Sequence, residues 1–256
     1  VTPDLGLVAI SERDRVLLAD RRGRVAWQFG HHPWGVGDSE SGSCWVSPDG
    51  RHVWATTPTA DGPDQWLVLD ASSGRALGSS PLRCHAAGSH PLTHPGGHHV
   101  GLSVGEGQDG AEVYWGHWED GRPVVERLDD RSRVLIDVSP SGGEYLTTPH
   151  SPDGSIAIHE FPSGRVVASL AESAVLDEDD YFDFTAGYIT DEMILVASVE
   201  RQQHLLLGGR TLAPIGVVAY PPGHPKGCIT PSGRGTWMTS DYVSGRHDLW
   251  HLAEDD

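Results

Sequence analysis

Ser43-Cys44-Trp45-Val46-Ser47-Pro48-Asp49-Gly50-Arg51-His52-Val53-Trp54-Ala55-Thr56 is followed, after a polar loop, by Gln65-Trp66-Leu67-Val68-Leu69-Asp70-Ala71-Ser72-Ser73-Gly74-Arg75-Ala76-Leu77. The apolar runs are short, rich in β-branched and aromatic residues, and have no helical period, which predicts strands. Pro48 presets its own φ, and Asp49 can bond the neighbouring backbone. Gly50 and Gly74 accept positive φ without steric cost. The stretch Ser43–Ser79 therefore reads as strand, tight turn, strand, loop, strand, tight turn, strand.

The rest of the chain repeats this unit. The Gly-Arg that opens its last strand recurs at Gly23-Arg24, Gly121-Arg122, Gly164-Arg165 and Gly209-Arg210, and the five arginines stand 51, 47, 43 and 45 residues apart. A period in the forties with about four strands per copy is the pattern of a β-propeller. The first copy shows strands at Leu7-Ile10, Val16-Asp20 and Val25-Phe29, which align with the second to fourth strands of the unit. In the third copy His94-Pro95-Gly96-Gly97 takes the place of Ser-Pro-Asp-Gly, and in the fourth Ser139-Pro140-Ser141-Gly142 does. The fourth copy also carries Ser151-Pro152-Asp153-Gly154, between its second and third strands. The acidic run Asp177-Glu178-Asp179-Asp180 leads into the fifth copy, whose first strand, Phe182-Ile189, is irregular. The sixth copy ends after three strands. The expected fold is all-β: one propeller domain over residues 1–256, with six blades of mostly four antiparallel strands and a short blade at each end. A five-bladed ring with a rearranged junction is the alternative. No amphipathic helix is expected, and Glu172-Asp179 is the nearest approach to one.

On Ser47-Pro48-Asp49-Gly50-Arg51 and Asp70-Ala71-Ser72-Ser73-Gly74-Arg75 the chain resembles the WD40-like, TolB-like class of bacterial β-propellers. It departs from true WD40 repeats in that no Trp-Asp closes the third strands and no Gly-His opens the copies. The resemblance implies architecture; such turns do not specify an activity.

Composition narrows the partners. A net charge of −18 repels nucleic-acid phosphates and anionic membranes, so neither is expected as a partner. Gly (32) and Pro (18) make up about a fifth of the 256 residues, which fits many turns. Lys226 is the single lysine against seventeen arginines, a bias expected of a GC-rich bacterial source. Cys44, Cys84 and Cys228 form no disulfide framework or paired-cysteine metal knuckle, and no long apolar span or leader is seen. A reduced, cytoplasmic protein is the expectation.

In a propeller the first strand of each blade lines the central channel. The linkers entering those strands and the loops between second and third strands share one face, where rigid strands carry variable loops. The residues placed there and chosen as candidate ligand-binding positions are Trp34, Asp38, Glu40, His85, His90, Asp183, His224 and Lys226. Trp34 either stacks on a ligand or plugs the channel. His85, His90, His150 and His224 are the candidate ligands for a divalent metal, since imidazole with carboxylate suits Zn, Mn, Fe or Ni. His94, His98 and His99 fall on the opposite turn, where solvated histidines are expected. Gly101-Leu102-Ser103-Val104-Gly105 matches the spacing of a serine-hydrolase elbow but ends a strand with no helix after it, which rejects that role.

Three functions compete. The first is a binding module that grips a protein, peptide or small molecule on this face. The second is an enzyme (lyase, isomerase/cyclase or hydrolase) using histidine and carboxylate at the channel mouth, with or without metal. The third is a structural or sensory domain of a larger protein, which the missing first strand of the first copy would fit.

Overall fold

A computed structural model describes residues 6–35, 42–83, 88–128, 130, 132–152, 154–224 and 227–252. The chain divides into two compact units, Val1–Arg131 and Ser132–Asp256. The described residues hold 22 strands in six antiparallel sheets, each with its strands in chain order. The first unit contains β1 (Leu7–Ser11), β2 (Arg15–Asp20) and β3 (Val25–Gly30); then β4 (Cys44–Val46), β5 (His52–Thr57), β6 (Gln65–Asp70) and β7 (Ala76–Pro81); then β8 (Gly88–Thr93), β9 (His99–Gly105), β10 (Ala111–Glu119) and β11 (Arg122–Arg127). The second unit contains β12 (Arg133–Val138), β13 (Glu144–Pro149), β14 (Ser155–Glu160) and β15 (Val166–Ala171); then β16 (Phe182–Thr190), β17 (Met193–Ser198), β18 (His204–Gly208) and β19 (Pro214–Val217); then β20 (Cys228–Pro231), β21 (Thr236–Asp241) and β22 (Arg246–His251). Glu172–Ala174 forms one turn of 3-10 helix in place of a longer helix.

The middle strands are buried because, within each unit, neighbouring sheets pack face to face. Val16 and Leu18 of β2 meet Val53, Leu67 and Leu69 of the second sheet. Trp54, Trp66 and Val68 then meet Val100, Leu102 and Tyr114 of the third. In the second unit Leu146, Ile156 and Ile158 meet Tyr188, Ile194 and Leu207, and Ile189 and Leu195 meet Ile229 and Trp237. Outer strands such as β3 and β15 have one side exposed and alternate accordingly.

The turns explain why the copies look alike. Ser47 N–H donates to His52 O and Gly50 N–H to Ser47 O, while Ser47 Oγ accepts from His52 N–H at 3.0 Å. Ser139 Oγ accepts from Glu144 N–H in the same way. In the third sheet His94 N–H donates to His99 O and the imidazole Nδ1 accepts from Gly96 N–H at 3.0 Å. The histidine there is a turn residue, as expected, but it is buried, 8% exposed, against His99 and Trp115 instead of solvated. At the other turn Asp70 Oδ1 accepts from the backbone N–H groups and hydroxyls of Ser72 and Ser73, and those hydroxyls first of all hold its carboxyl down at about 2.

One part of the repeat reading needs correction. Gly209-Arg210 does not open the outer strand of the fifth sheet. The turn is closed by Gly208 N–H to Ala213 O and Leu212 N–H to Gly208 O, so Leu212, at φ 56, stands where Gly74, at φ 70, stands in the second sheet. Conversely, Asp241–Arg246 has the same turn chemistry as Asp70–Arg75, with Gly245 N–H donating to Asp241 O and Ser244 Oγ to Asp241 Oδ2. It joins the second and third strands of its sheet, so this turn type does not by itself report strand position.

Candidate functional site

The second unit gathers its chemistry where the β13–β14 loop meets the linker entering β16. Three anchors set the geometry. His150 N–H donates to Ser132 O. Glu172, 4% exposed, accepts from Gly154 N–H with Oε2 at 3.0 Å and from Phe182 N–H with Oε1 at 2.9 Å. Asp180 Oδ1 accepts from Tyr181 N–H and Glu200 N–H. Gly154 is required at the loop's end, because a Cβ there would lie 2.2 Å from Pro149 Cβ.

The start of β16 is distorted. Phe182 pairs with Ser198, but the next pair is Ala186 with Val196, so a four-residue step on β16 faces a two-residue step on β17. The extra residues leave the ladder and re-aim their side chains. Phe184 becomes half-exposed as a result (51%).

Pro149, His150, Ser151, Pro152, Tyr181, Phe182, Asp183, Phe184 and Val199 enclose a groove of about 190 Å³. The rings of His150 and Phe184 stand 6.4 Å apart on its wall. Neither the His150 imidazole nor the Asp183 carboxylate has a hydrogen-bond or ion-pair partner among the described residues. On the other side of the Pro149–Pro152 segment lies a second, more polar cavity of about 450 Å³, bordered by Ser132, Arg133, Gly154 and Ser155. There Arg133 donates to Ser155 O at 2.9 Å.

Thus two sequence candidates, His150 and Asp183, come together, and Phe184 joins them. Phe184 was missed because its exposure follows from the register slip; the irregular pattern of Phe182-Ile189 was the available signal. Trp34 is a correction. It is 3% exposed and packs with Trp54, Trp66 and Leu82 in the apolar layer between the second and third sheets, so it presents no stacking face to a ligand. His90 is exposed on β8, in the first unit. His224 is held by its neighbours: Arg246 Nη2 lies 2.9 Å and Asp248 Oδ2 3.2 Å from its Nδ1, and Trp250 packs edge-on at 5.1 Å. Asp38, Glu40, His85 and Lys226 lie outside the described residues. Among the described residues no three His, Cys, Asp or Glu side chains converge to hold a metal ion.

The other reactive side chains are structural. Ser103 is buried in the regular strand β9, which rules out a nucleophile elbow. Burial pushes the Cys44 thiol up to about 12 and raises that of Cys228. His204, 1% exposed, sits between Tyr220 Oη at 2.8 Å and Gly227 O at 3.0 Å, and Trp237 Nε1–H donates to the same phenol. No described helix is long and apolar enough to cross a membrane.

No protein-family model and no curated protein matches the chain. Solved structures do. Kuenenia stuttgartiensis hydrazine synthase is 15% identical over 100% of this chain and 83% of its own, with a TM-score of 0.64. The WD40 repeats of RRP9 are 13% identical over 93% and 70%, with a TM-score of 0.60. KlAtg21, solved with the coiled coil of AgAtg16, is 12% identical over 84% and 68%, with a TM-score of 0.58. The fold is a WD40-like β-propeller fold. At these identities the likeness concerns the fold alone.

Proposed function

We propose that the chain is a binding module, a six-bladed propeller that grips a protein segment, peptide or small molecule in the groove between the β13–β14 loop and the β16 linker. The observation that carries this reading is an apolar groove with two polar groups, His150 and Asp183, that have no partner among the described residues, beside the half-exposed Phe184. A few convergent polar groups in an apolar cleft are the usual make-up of a binding site. Six sheets, with three strands in the first and last, support six blades over five. A WD40-repeat fold and a neighbour solved with a coiled coil favour a protein or peptide guest. The charge of −18 disfavours nucleic acid and anionic membranes.

The test is a thermal-shift screen of short peptides and small molecules of varied charge on the whole chain and on Phe184→Ala. Ligands should stabilise the parent and lose at least about tenfold in affinity on the variant, whose own melting temperature should not fall. A screen with no ligand, or ligands indifferent to Phe184, would refute the assignment. The enzymatic alternative uses the same groove, with His150 and Asp183 as the acid–base pair. It requires turnover that His150→Gln removes while binding persists.

A further inference from the structure

We infer that the groove takes an arginine side chain from an extended segment of a partner protein. This rests on the binding reading above and names the chemistry of the guest.

Among the described residues, the rim of the groove carries unpaired negative charge. Segment 177–184 carries five carboxylates. Asp177 is neutralised by Arg201 Nη2 at 2.5 Å, and Asp180 is buried and caps two backbone N–H groups. Glu178 and Asp179 are exposed, and Asp183 is on the groove wall; none of the three has a partner among the described residues. Arg201, the nearby cation, is paired with Asp177, and Arg133 borders the neighbouring cavity, where its guanidinium donates to Ser155 O, and does not line the groove. The groove is therefore short of a positive charge.

Its other walls specify what must carry that charge. Pro149, Pro152, Tyr181, Phe184 and Val199 are poor company for a strongly hydrated ion. A lysine ammonium would keep its water. A guanidinium is flat and weakly hydrated; it can stack on the exposed Phe184 ring while its N–H fork meets the Asp183 carboxylate. Its three-methylene stem would lie against the prolines. About 190 Å³ holds one long side chain, so the guest is a single residue of an extended segment, with Glu178 and Asp179 attracting further basic residues beside it.

The experiment titrates the whole chain with an end-capped Gly-Gly-Xaa-Gly-Gly peptide, where Xaa is arginine, lysine, citrulline, leucine or glutamate, followed by NMR. Citrulline keeps the shape of arginine and removes its charge. The arginine peptide should bind about tenfold more tightly than the citrulline peptide, and more tightly than the lysine one. Asp183→Asn should erase the arginine–citrulline difference, and Phe184→Leu should weaken the arginine peptide several-fold. Raising the salt should weaken it further. Equal binding of arginine and citrulline, or preference for leucine or glutamate, overturns the inference; if that binding is still lost in Phe184→Ala, the groove remains the site. Failure of every probe overturns the inference, while the groove assignment stands or falls with the ligand screen above.

Discussion

In the first unit the second and third sheets are joined by hydroxyls, from the residue before β4, from β5 and from β8. Ser43, Thr56 and Ser89 share hydrogen bonds, with Thr56 Oγ1 and Ser89 Oγ 3.0 Å apart and Ser43 N–H donating to Thr56 Oγ1 at 2.8 Å. In the second unit the inner strands β12 and β16 are joined by a carboxylate. Asp137 Oδ2 accepts from Tyr188 N–H at 2.8 Å across the seam, and Gly187 leaves it room, since a Cβ there would come 2.5 Å from that oxygen. The loop ends differ as well. The polar groups of the Asp70 turn bond one another, whereas the groove of the second unit leaves His150 and Asp183 without partners among the described residues. Hydroxyl seams and closed turns do not titrate near neutrality and offer a ligand little. The groove of the second unit instead presents a carboxylate and an imidazole that no described residue satisfies, which is why function is assigned to the second unit.

Three substitutions or titrations sharpen this contrast. The largest effect belongs to the first unit. Trp34→Ala should cost about 3–5 kcal/mol in urea unfolding by opening a cavity in the layer of Trp54, Trp66 and Leu82, yet leave groove binding in the folded protein unchanged. A loss of groove binding in that folded variant would make Trp34 part of the site. Next, Glu172→Ala should cost about 2–3 kcal/mol, because Gly154 N–H and Phe182 N–H lose their buried acceptor. Unlike Trp34→Ala it should also weaken groove binding, and Glu172→Gln, which keeps one carbonyl oxygen, should fall between. Equal effects of the two variants on binding would erase the distinction between packing and site scaffold.

The third effect is a pH dependence. Burial pushes Asp137 up to about 6 even though the N–H groups of Tyr188 and Val138 pull the other way. The native state therefore holds a proton that the unfolded chain, with its ordinary carboxyl, releases near pH 4. The contribution of Asp137 is largest below about pH 4, declines as pH rises to about 6 and is constant above; the full change is about 3 kcal/mol. His99, held down at about 4 by burial and then by the neighbouring His117, His94 and His98, acts with the opposite sign between pH 4 and its ordinary range. The stability difference between the chain and Asp137→Asn, followed from pH 4 to 7, isolates the carboxylate. A flat difference would refute the buried-seam account.

By itself the sequence determined the strands and most turns. Ser47-Pro48-Asp49-Gly50 and Asp70-Ala71-Ser72-Ser73-Gly74-Arg75 close their hydrogen bonds within five or six residues, so their conformations are written locally. Short β-branched runs between such turns leave little choice but sheet, and the expected strand set is the one observed. The Gly209-Arg210 misreading has the same origin: the dipeptide is a local mark, and the fifth turn closed two residues further on, at Leu212. Tertiary structure decided what is exposed and what lacks a partner. Trp34 looked like a loop aromatic until the second and third sheets closed over it. Asp177 and Asp183 are both carboxylates of one acidic segment, and only the arrival of Arg201 separates the neutralised one from the open one. Burial and pairing depend on residues 20 to 50 positions away, and no local pattern encodes which of them arrives.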